Sequence, residues 1–381
     1  MRRSEVTYTA ILKILAPKIR GFLFVIIVLL LGCSSDNAPK KEPTIAEAEQ
    51  EVTIQVDRFV ARAYFDSLSA NGRFNGVVLL SSNDSISRFA IGKTRLREND
   101  TLRIGDVFQL ASLSKPITAL GILRLVELGK VVLDDPVREY LFDFPDKEIT
   151  VRSLLDHTSG MGNYIYVTDS LWNNPDSFMS NDDVYDIIRC EQVPTYHPPH
   201  ERFDYCNTNY AVLPVLIERV SGLSFQTFME REIFDPLQMD STHYLNAWDR
   251  PSDEYRVLGH YPNGDPKRPF YLDAVLGDKS LYSSVGDLFK LYKGLRKAEI
   301  WSASLLKEAM RPSIRSDNGQ FYGLGWRIRP MESDTLIFHN GWWRGFRSYF
   351  WMSGAEDKVA IVLTNSIRGG YLRQGEIWPL F

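Results

Sequence analysis

A serine and a lysine three positions apart, Ser112 and Lys115, stand at the start of a long apolar stretch. Residues three apart share one face of a helix, so the lysine amine can reach the serine hydroxyl. That hydroxyl is a poor nucleophile until a neighbour takes its proton, which a lysine can do if burial or nearby positive charge lowers its pKa. The apolar residues of 117–128 predict a buried helix, and Gly129 is suited to end it.

The Ser-x-x-Lys spacing alone does not identify a nucleophile, because it occurs again at Ser304 and Lys307. That second copy lies in 302–309, which has the composition of a short surface helix. A chain of this length contains about one such motif by chance. Ser112 is therefore the candidate nucleophile, and an incidental polar start of a helix is the alternative unless partners are found elsewhere in the chain.

The first partner is expected in a Tyr-x-Asn triplet, of which three begin at Tyr205, Tyr244 and Tyr261. The triplet at Tyr205 precedes the apolar run 209–221, which predicts a tight polar loop leading into an amphipathic helix. The triplet at Tyr261 is followed by glycine and is typical of a plain turn. Tyr205 and Asn207 are therefore the candidate partners of the serine.

A second candidate segment is His339-Asn340-Gly341, which ends a strand-like run. A glycine there would let a substrate backbone lie close to the strand. The alternative is a histidine at a strand end followed by a turn. His157 and Ser159 also stand close together, but we interpret them as structural, because neighbours in sequence rarely face each other and no Gly-x-Ser-x-Gly motif is present.

Composition limits the remaining possibilities. The chain has 381 residues, 44% hydrophobic and 24% charged, which is typical of a globular protein, and its net charge of -4 gives no support for nucleic-acid binding. His197 and His200 flank two prolines and no His-Glu-x-x-His motif occurs, so we predict neither a metal nor a cofactor. A disulfide-built fold is excluded, while a single bridge between Cys190 and Cys206 is left open.

The N-terminal segment predicts export and lipidation. Basic residues precede an uncharged run over 21–32, which is too short to span a bilayer and suits a signal peptide. The run ends in Leu-Leu-Gly-Cys, which resembles a bacterial lipobox. We predict a signal peptide over 1–32, a lipidated Cys33, and a polar tether over 33–43. Lipid would hold the protein on a membrane of the bacterial cell envelope, facing the periplasm or the exterior. A plain signal peptide and an uncleaved anchor are the alternatives.

One domain is predicted over 44–370, followed by a short tail over 371–381. A helix is expected over 44–70 because its apolar residues form one stripe. Strand patterns occur near both ends of the domain, with helices between them. They are 76–80, 87–92, 336–339, 346–352 and 359–364. The predicted fold class is α/β of the α+β type: an antiparallel sheet of about five strands from about 72–111 and 322–366, flanked by helices, with a large helical insertion over about 112–321.

In this order, the segments around Ser112, Tyr205 and His339 make the chain similar to the serine β-lactamase and penicillin-binding-protein superfamily. More narrowly, the chain resembles the branch that holds class C β-lactamases, D-alanyl-D-alanine carboxypeptidases and related esterases. The resemblance covers about 76–365 and implies the β-lactamase/transpeptidase-like fold. The segments that carry it are 108–115, 154–161, 203–210, 233–239, 322–326 and 339–341.

The resemblance implies a mechanism for these residues. Ser112 would attack a carbonyl and form an acyl-enzyme, with Lys115 and Tyr205 sharing the proton. The backbone amides of Ser112 and Trp342 would stabilise the oxyanion. Asn207 would hold either the substrate amide or the Lys115 ammonium. The expected substrate is a small molecule or a peptide.

The strand segment His339, Asn340 and Gly341 would bind the substrate, but it departs from the family pattern. Many relatives carry lysine where this chain has His339, whose charge would depend on pH near neutrality. We therefore expect a peptidase or an esterase, with weak or absent β-lactamase activity. Two alternatives stay open: an inactive homologue that binds cell-wall peptide or a partner protein, and a structural surface lipoprotein. The intact Ser112, Lys115 and Tyr205 argue against both.

Overall fold

A computed structural model gives the structure of the protein. The predicted signal peptide, Cys33 and the tether lie outside the residues that it describes, as does most of the helix predicted over 44–70. The described residues are 59–83, 85–172, 177–245, 255–316, 319–368 and 371–380.

An eight-stranded antiparallel sheet forms the centre of the molecule, in the order β2-β1-β11-β10-β9-β8-β7-β6. Five long strands lie where the sequence predicts them, from both ends of the domain. They are β1 (Gly76–Ser82), β2 (Ser85–Ile91), β9 (Thr335–Trp343), β10 (Phe346–Ser353) and β11 (Lys358–Thr364). A second sheet of three short strands contains β3 (Phe108–Gln109), β4 (His243–Tyr244) and β5 (Leu281–Ser283).

Three short strands at one end of the sheet raise the number of strands above the five that were predicted. They are β6 (Ile314–Arg315), β7 (Phe321–Tyr322) and β8 (Arg327–Pro330). Two-residue strands are too short to show an alternating pattern, and β8 carries two arginines and a proline, which disfavour a strand prediction. The fold class itself, an antiparallel sheet with helices and a helical insertion, is confirmed.

The helices supply the layers on both faces of the sheet. Residues 59–70 form the first, α1. The others are α2 (Ser114–Glu127), α3 (Val151–Leu155), α4 (Tyr164–Leu171), α5 (Asn181–Arg189), α6 (Asn207–Ser221), α7 (Phe225–Met229), α8 (Val285–Lys297), α9 (Ala303–Ala309) and α10 (Gln374–Ile377). Short 3-10 turns occupy Ala111–Leu113, Val137–Glu139, Tyr271–Ala274 and Trp378–Leu380.

Both faces of the sheet are buried, which explains the continuous apolar run in β1. Val77 and Leu79 join the large core shared with the central helices. Val78 and Leu80 point the other way, into an outer core that contains Phe65 of α1. Alternating side chains of one strand therefore serve two separate cores. The short C-terminal segment also packs on this outer face, because Ile377 of α10 belongs to the same core.

Helix α2 crosses the interior and is buried on every side over most of its length. A helix without a polar face is stable only when surrounded by other elements, and α2 packs against α6. Gly129 follows with a φ of 66°, a left-handed conformation that glycine adopts without strain, so the predicted end of this helix is confirmed.

Two further findings bear on the predictions. The thiols of Cys190 and Cys206 are both free, so the bridge left open by the sequence does not form. In the described part of the chain, no helix has both the length and the apolarity that crossing a bilayer requires.

Candidate active site

Ser112 lies in the 3-10 turn that leads into α2, and its backbone is held in an unusual conformation. Ala111, just before it, has a φ of 51°. A residue with a Cβ is strained there by roughly 1–3 kcal/mol and stays there only when its surroundings force it to. Strand β9 does so, since a Cβ added at Gly341 would lie 2.0 Å from the Leu110 carbonyl oxygen and 3.1 Å from the Ala111 Cβ.

This contact gives Gly341 a role that the sequence did not predict. The glycine brings a backbone close to the strand, and that backbone is the chain's own nucleophile turn. Ser348 on β10 adds a hydrogen bond from its hydroxyl to the Leu110 carbonyl. The turn before Ser112 is therefore pressed against the sheet at a fixed place.

Lys115 is fully buried and makes three hydrogen bonds through Nζ. The amine lies 2.7 Å from Asn207 Oδ1, 2.9 Å from the Asp278 carbonyl oxygen and 3.2 Å from Ser112 Oγ. All three oxygens accept an N–H hydrogen bond from Nζ, which holds the lysine side chain next to the Ser112 hydroxyl.

Tyr205 lies between two cations. The Lys115 Nζ is 5.1 Å from the centre of its ring, and the Arg327 guanidinium carbon is 5.0 Å from it. The structure thus brings Ser112, Lys115, Tyr205 and Asn207 into one cluster.

His157 holds the Tyr205 loop through two hydrogen bonds and a ring contact. Its Nδ1 accepts a hydrogen bond from the Cys206 amide at 3.2 Å, and its carbonyl oxygen accepts one from the Asp204 amide at 2.9 Å. The imidazole and Tyr205 ring centres are 4.4 Å apart. Burial lowers the pKa of His157 well below 6.5, so the ring is neutral. Ser159 instead donates to Asn209, so the two residues play separate structural roles.

His339 is not the pH-dependent cation that the sequence suggested. The ring is 1% exposed, and its Nδ1 donates to the Asn340 carbonyl oxygen at 2.8 Å. Nε2 then accepts from the Tyr322 hydroxyl at 3.1 Å. Burial lowers the pKa of His339 well below 6.5 and raises the pKa of Tyr322. The imidazole is therefore neutral near pH 7, and both of its nitrogens are occupied by protein groups.

Asn340 and Trp342 project their side chains from the opposite face of β9. Asn340 Oδ1 accepts a hydrogen bond from Trp351 Nε1 at 2.7 Å, on the side of the outer core. The Trp342 ring lies 6.3 Å from that of Tyr371 and is 56% exposed. Strand alternation turns the Asn340 side chain away from the face of β9 that meets the nucleophile turn, and a contact of Asn340 with substrate stays a prediction.

The backbone of Trp342 lies on an open stretch of β9. Strand β8 begins at Arg327, which pairs with Phe338. Past Phe338, β9 has no neighbour from β8, while its other edge stays paired with β10 as far as Trp343. This open edge adjoins the face of β9 on which the nucleophile turn packs, at Gly341.

Sequence reasoning missed Arg327. It is the first residue of β8, and no carboxylate lies within ion-pair distance of it in the part of the chain that the structure describes. Its guanidinium stands over Tyr205 and, at 5.7 Å, over Tyr322. A permanent cation without an ion-pair partner beside the nucleophile cluster is available to an anionic substrate group.

A buried charge cluster behind Lys115 was missed as well. The side chains of Lys279 and Asp278 are 3% and 0% exposed, and Lys279 Nζ is 3.0 Å from each carboxylate oxygen. The Tyr164 hydroxyl donates to Asp278 and contacts the ammonium. The pKa of Lys279 is lowered, because the effect of burial is larger than the opposing effect of the Asp278 carboxylate. No motif marks these residues, because Tyr164 joins the neighbours Asp278 and Lys279 only in the folded chain.

The comparisons with known proteins agree with this geometry. A family model described as Beta-lactamase matches residues 61–373. The chain belongs to the beta-lactamase family. It is therefore a serine hydrolase of the β-lactamase and penicillin-binding-protein superfamily. Among the described residues, no group of three or more His, Cys, Asp and Glu side chains is placed to hold a metal ion.

Relatives of this beta-lactamase family chain include penicillin-binding proteins. It is 32% identical over 322 residues to "Penicillin-binding protein 4*" of Bacillus subtilis (strain 168), which covers 79% of this chain and 70% of that protein. It is 25% identical over 270 residues to "Protein flp" of Staphylococcus aureus (strain MRSA252), a match over 68% of this chain but only 52% of that relative. This chain thus spans about half of the second relative.

Solved structures share the fold. A penicillin-binding protein from Bacillus halodurans superposes with a TM-score of 0.74 at 24% identity, covering 83% of this chain and 99% of that one. A D-amino acid amidase from Ochrobactrum anthropi SV3 superposes with a TM-score of 0.70 at 22% identity, covering 81% and 91%. At these identities the likeness establishes the fold alone.

Proposed function

We propose that this hydrolase cleaves acyl bonds through a covalent acyl-enzyme on Ser112, with Lys115 and Tyr205 as proton-transfer partners. Ser112 Oγ forms a bond to the substrate carbonyl carbon while its proton passes to the Lys115 amine or the Tyr205 phenolate. The bond to the leaving group then breaks, and the leaving group takes that proton. Water releases the acyl group and restores the serine. The observation that carries the proposal is the three-acceptor arrangement around Lys115 Nζ.

The oxyanion of the tetrahedral intermediate needs preplaced N–H donors. We assign these to the backbone amides of Ser112 and Trp342, each of which directly follows a residue, Ala111 or Gly341, at the contact between the nucleophile turn and β9. The strain at Ala111 supports this assignment, because strained backbone collects where donors must be aimed. Asn207 keeps the lysine amine in place and offers its amide N–H to substrate.

Arg327 favours a substrate whose leaving group carries a carboxylate. The neutral His339 cannot attract an anion, but the guanidinium over Tyr205 can, and its charge does not vary with pH. The substrate class we propose is therefore a peptide or amide with a free carboxylate, as in a D-alanine-terminated peptide, ahead of a neutral ester. A penicillin carboxylate would meet the same cation, so acylation by penicillin is expected, with slow turnover.

The decisive experiment is intact-mass analysis of residues 42–381 after incubation with a fluorophosphonate and, separately, with a penicillin. We expect an adduct with each reagent, and no adduct with Ser112→Ala. An adduct with the phosphonate alone would favour ester substrates. No adduct with either would contradict the proposal and favour a protein that binds cell-wall peptide without turning it over.

The role of Arg327 is tested by Arg327→Met, assayed with a carboxylate-terminated peptide and its C-terminal amide. A charge-assisted hydrogen bond contributes about 1.5–3 kcal/mol, so kcat/KM for the carboxylate should fall by roughly 10- to 150-fold, and that for the amide much less. Arg329→Met is the matched control, since that arginine lies on the same strand near Phe338. An equal loss for both peptides would refute a carboxylate contact.

We further propose that the mature protein is lipid-anchored through Cys33 and faces the periplasm or the cell exterior. The support is the charged start, the short apolar run and the Leu-Leu-Gly-Cys sequence. Expression of the full chain with a radiolabelled fatty acid should label the wild type and leave Cys33→Ser unlabelled. Label on both would place the lipid elsewhere, and label on neither would favour a plain signal peptide.

A further inference from the structure

Trp343 shares a face of β9 with Gly341. Two residues along a strand are about 7 Å apart and point to the same side, so the indole lies one step beyond the place where Gly341 meets the nucleophile turn. Trp342, in contrast, points to the outer face next to Tyr371. The two tryptophans are adjacent in sequence but lie on opposite sides of the sheet.

The indole of Trp343 is held rigidly. Its Nε1 donates to Asp273 Oδ1 at 2.8 Å, and the Lys279 ammonium lies 5.3 Å from the ring centre. Asp273 and Lys279 are both buried, so these supports are themselves fixed. The Phe270 ring lies 6.1 Å away on one side. Trp343 nevertheless stays partly exposed, so part of the ring is open to a ligand.

The position of Trp343 relative to the base follows from the same residues. Lys279 directly follows Asp278 in the chain, and the Asp278 carbonyl oxygen accepts a hydrogen bond from Lys115. The indole therefore stands two contacts from the catalytic amine. Arg327 stands at the other end of the open edge, where β8 ends its pairing with β9 at Phe338. The nucleophile turn meets the strand between these two ends.

The two ends of the edge differ in chemistry. The Arg327 end carries a cation and suits a carboxylate, whereas the Trp343 end carries an indole and suits flat apolar groups. A substrate that extends along an open strand edge places its successive groups along that edge. With its leaving-group carboxylate at Arg327 and its carbonyl at Ser112, the acyl part of the substrate reaches Trp343.

We propose that Trp343 is the specificity-determining residue of the acyl subsite and selects substrates with a flat or bulky apolar acyl group. This inference rests on the proposed acyl-enzyme function of Ser112. The indole packs on the acyl group, and the supports from Asp273 and Lys279 keep it oriented, so less ordering is needed when substrate binds.

The test compares two acyl donors with the same carboxylate-bearing leaving group, one phenylacetyl and one acetyl. For Trp343→Ala in residues 42–381, kcat/KM for the phenylacetyl donor should fall by roughly 10- to 100-fold, mainly through KM, because the apolar contact is lost. The acetyl donor should change by less than about threefold. Tyr371→Ala, which removes an aromatic ring on the outer face of the sheet, is the matched control and should change neither.

An equal loss for both donors, or no change for either, would overturn the role assigned to Trp343. If Trp343→Ala does not fold, Trp343→Leu fills more of the space and is judged by the same ratio of the two donors. A wild-type protein that hydrolyses both donors, with a ratio insensitive to these changes, removes this inference and leaves the proposed function standing. A wild type that is inert to both donors and unlabelled at Ser112 removes both.

Discussion

Replacing Lys279 by methionine separates the buried charge cluster from an ordinary surface ion pair. The substitution keeps most of the side-chain volume and leaves the Asp278 carboxylate, 0% exposed, without its ammonium partner. In the part of the chain that the structure describes, the Tyr164 hydroxyl is then the hydrogen-bond partner left to that carboxylate. Removing one member of a buried pair costs about 3–5 kcal/mol, and we expect the free energy of unfolding to fall by this amount.

The double variant Asp278→Asn, Lys279→Met removes both charges at once. Because no unpaired buried charge is left, it should be considerably more stable than the single variant, and replacing a buried pair by neutral groups is often close to neutral. Lys293→Met is the control at the surface. That lysine pairs with Asp357, and their side chains are 35% and 38% exposed, so its loss should cost at most about 1 kcal/mol.

The assay is urea unfolding followed by fluorescence, with kcat measured in parallel without denaturant. Asp278 also positions Lys115 through its carbonyl oxygen, so a backbone shift of about 1 Å should lower kcat by roughly 100-fold with a smaller change in KM. A cost below about 1 kcal/mol for Lys279→Met would show that the pair is solvated. Equal costs for the single and double variants would show that the two charges do not depend on each other.

Two further predictions concern the neutral histidines and the strand glycine. Burial holds the pKa of His157 and of His339 below 6.5 in the folded chain. Above that pH both rings are neutral in the folded and the unfolded chain, and the free energy of unfolding has its full value. Below it the unfolded chain binds protons that the folded chain does not, so the free energy of unfolding falls by up to about 1.4 kcal/mol per pH unit for each ring. Urea unfolding at pH 7.5 and 5.5 should show this slope, and His339→Gln should flatten it; a slope that His339→Gln leaves unchanged would contradict the assignment. Gly341→Ala should lower kcat by about 100-fold or more, because the new Cβ would lie 2.0 Å from the Leu110 carbonyl oxygen. Gly105→Ala is the control and should leave kcat unchanged, since no atom lies within 4 Å of its new Cβ. A fully active Gly341→Ala would refute the contact.

The nucleophile cluster could be predicted from sequence because its members stand at the starts of recognisable elements. Ser112 and Lys115 open an apolar helix, and Tyr205 and Asn207 precede another. Spacing and the switch in periodicity were enough to choose them. The long strands could be predicted because their apolar or β-rich residues form local runs that are visible in the sequence.

The remaining features depend on contacts between distant segments. Arg327 looks like any surface arginine until β8 pairs with β9 beside Tyr205. His339 was assigned a titrating charge, because nothing near it in sequence shows that Tyr322 and the sheet bury it. The side chain of Asn340 faces the outer core because alternate residues of a strand point to opposite sides, which a motif by itself does not reveal.

The strained turn at Ala111 has a consequence for how the protein acquires activity. The groups that hold it come from β9 and β10, and the hydrogen bond from Ser348 to Leu110 spans 238 residues of chain. During synthesis the serine segment leaves the ribosome long before those strands exist, so nothing yet forces the left-handed backbone. In the nascent chain, Ser112 should therefore not yet be held in its active orientation. Hydrolytic activity should arise only when the last strands complete the sheet.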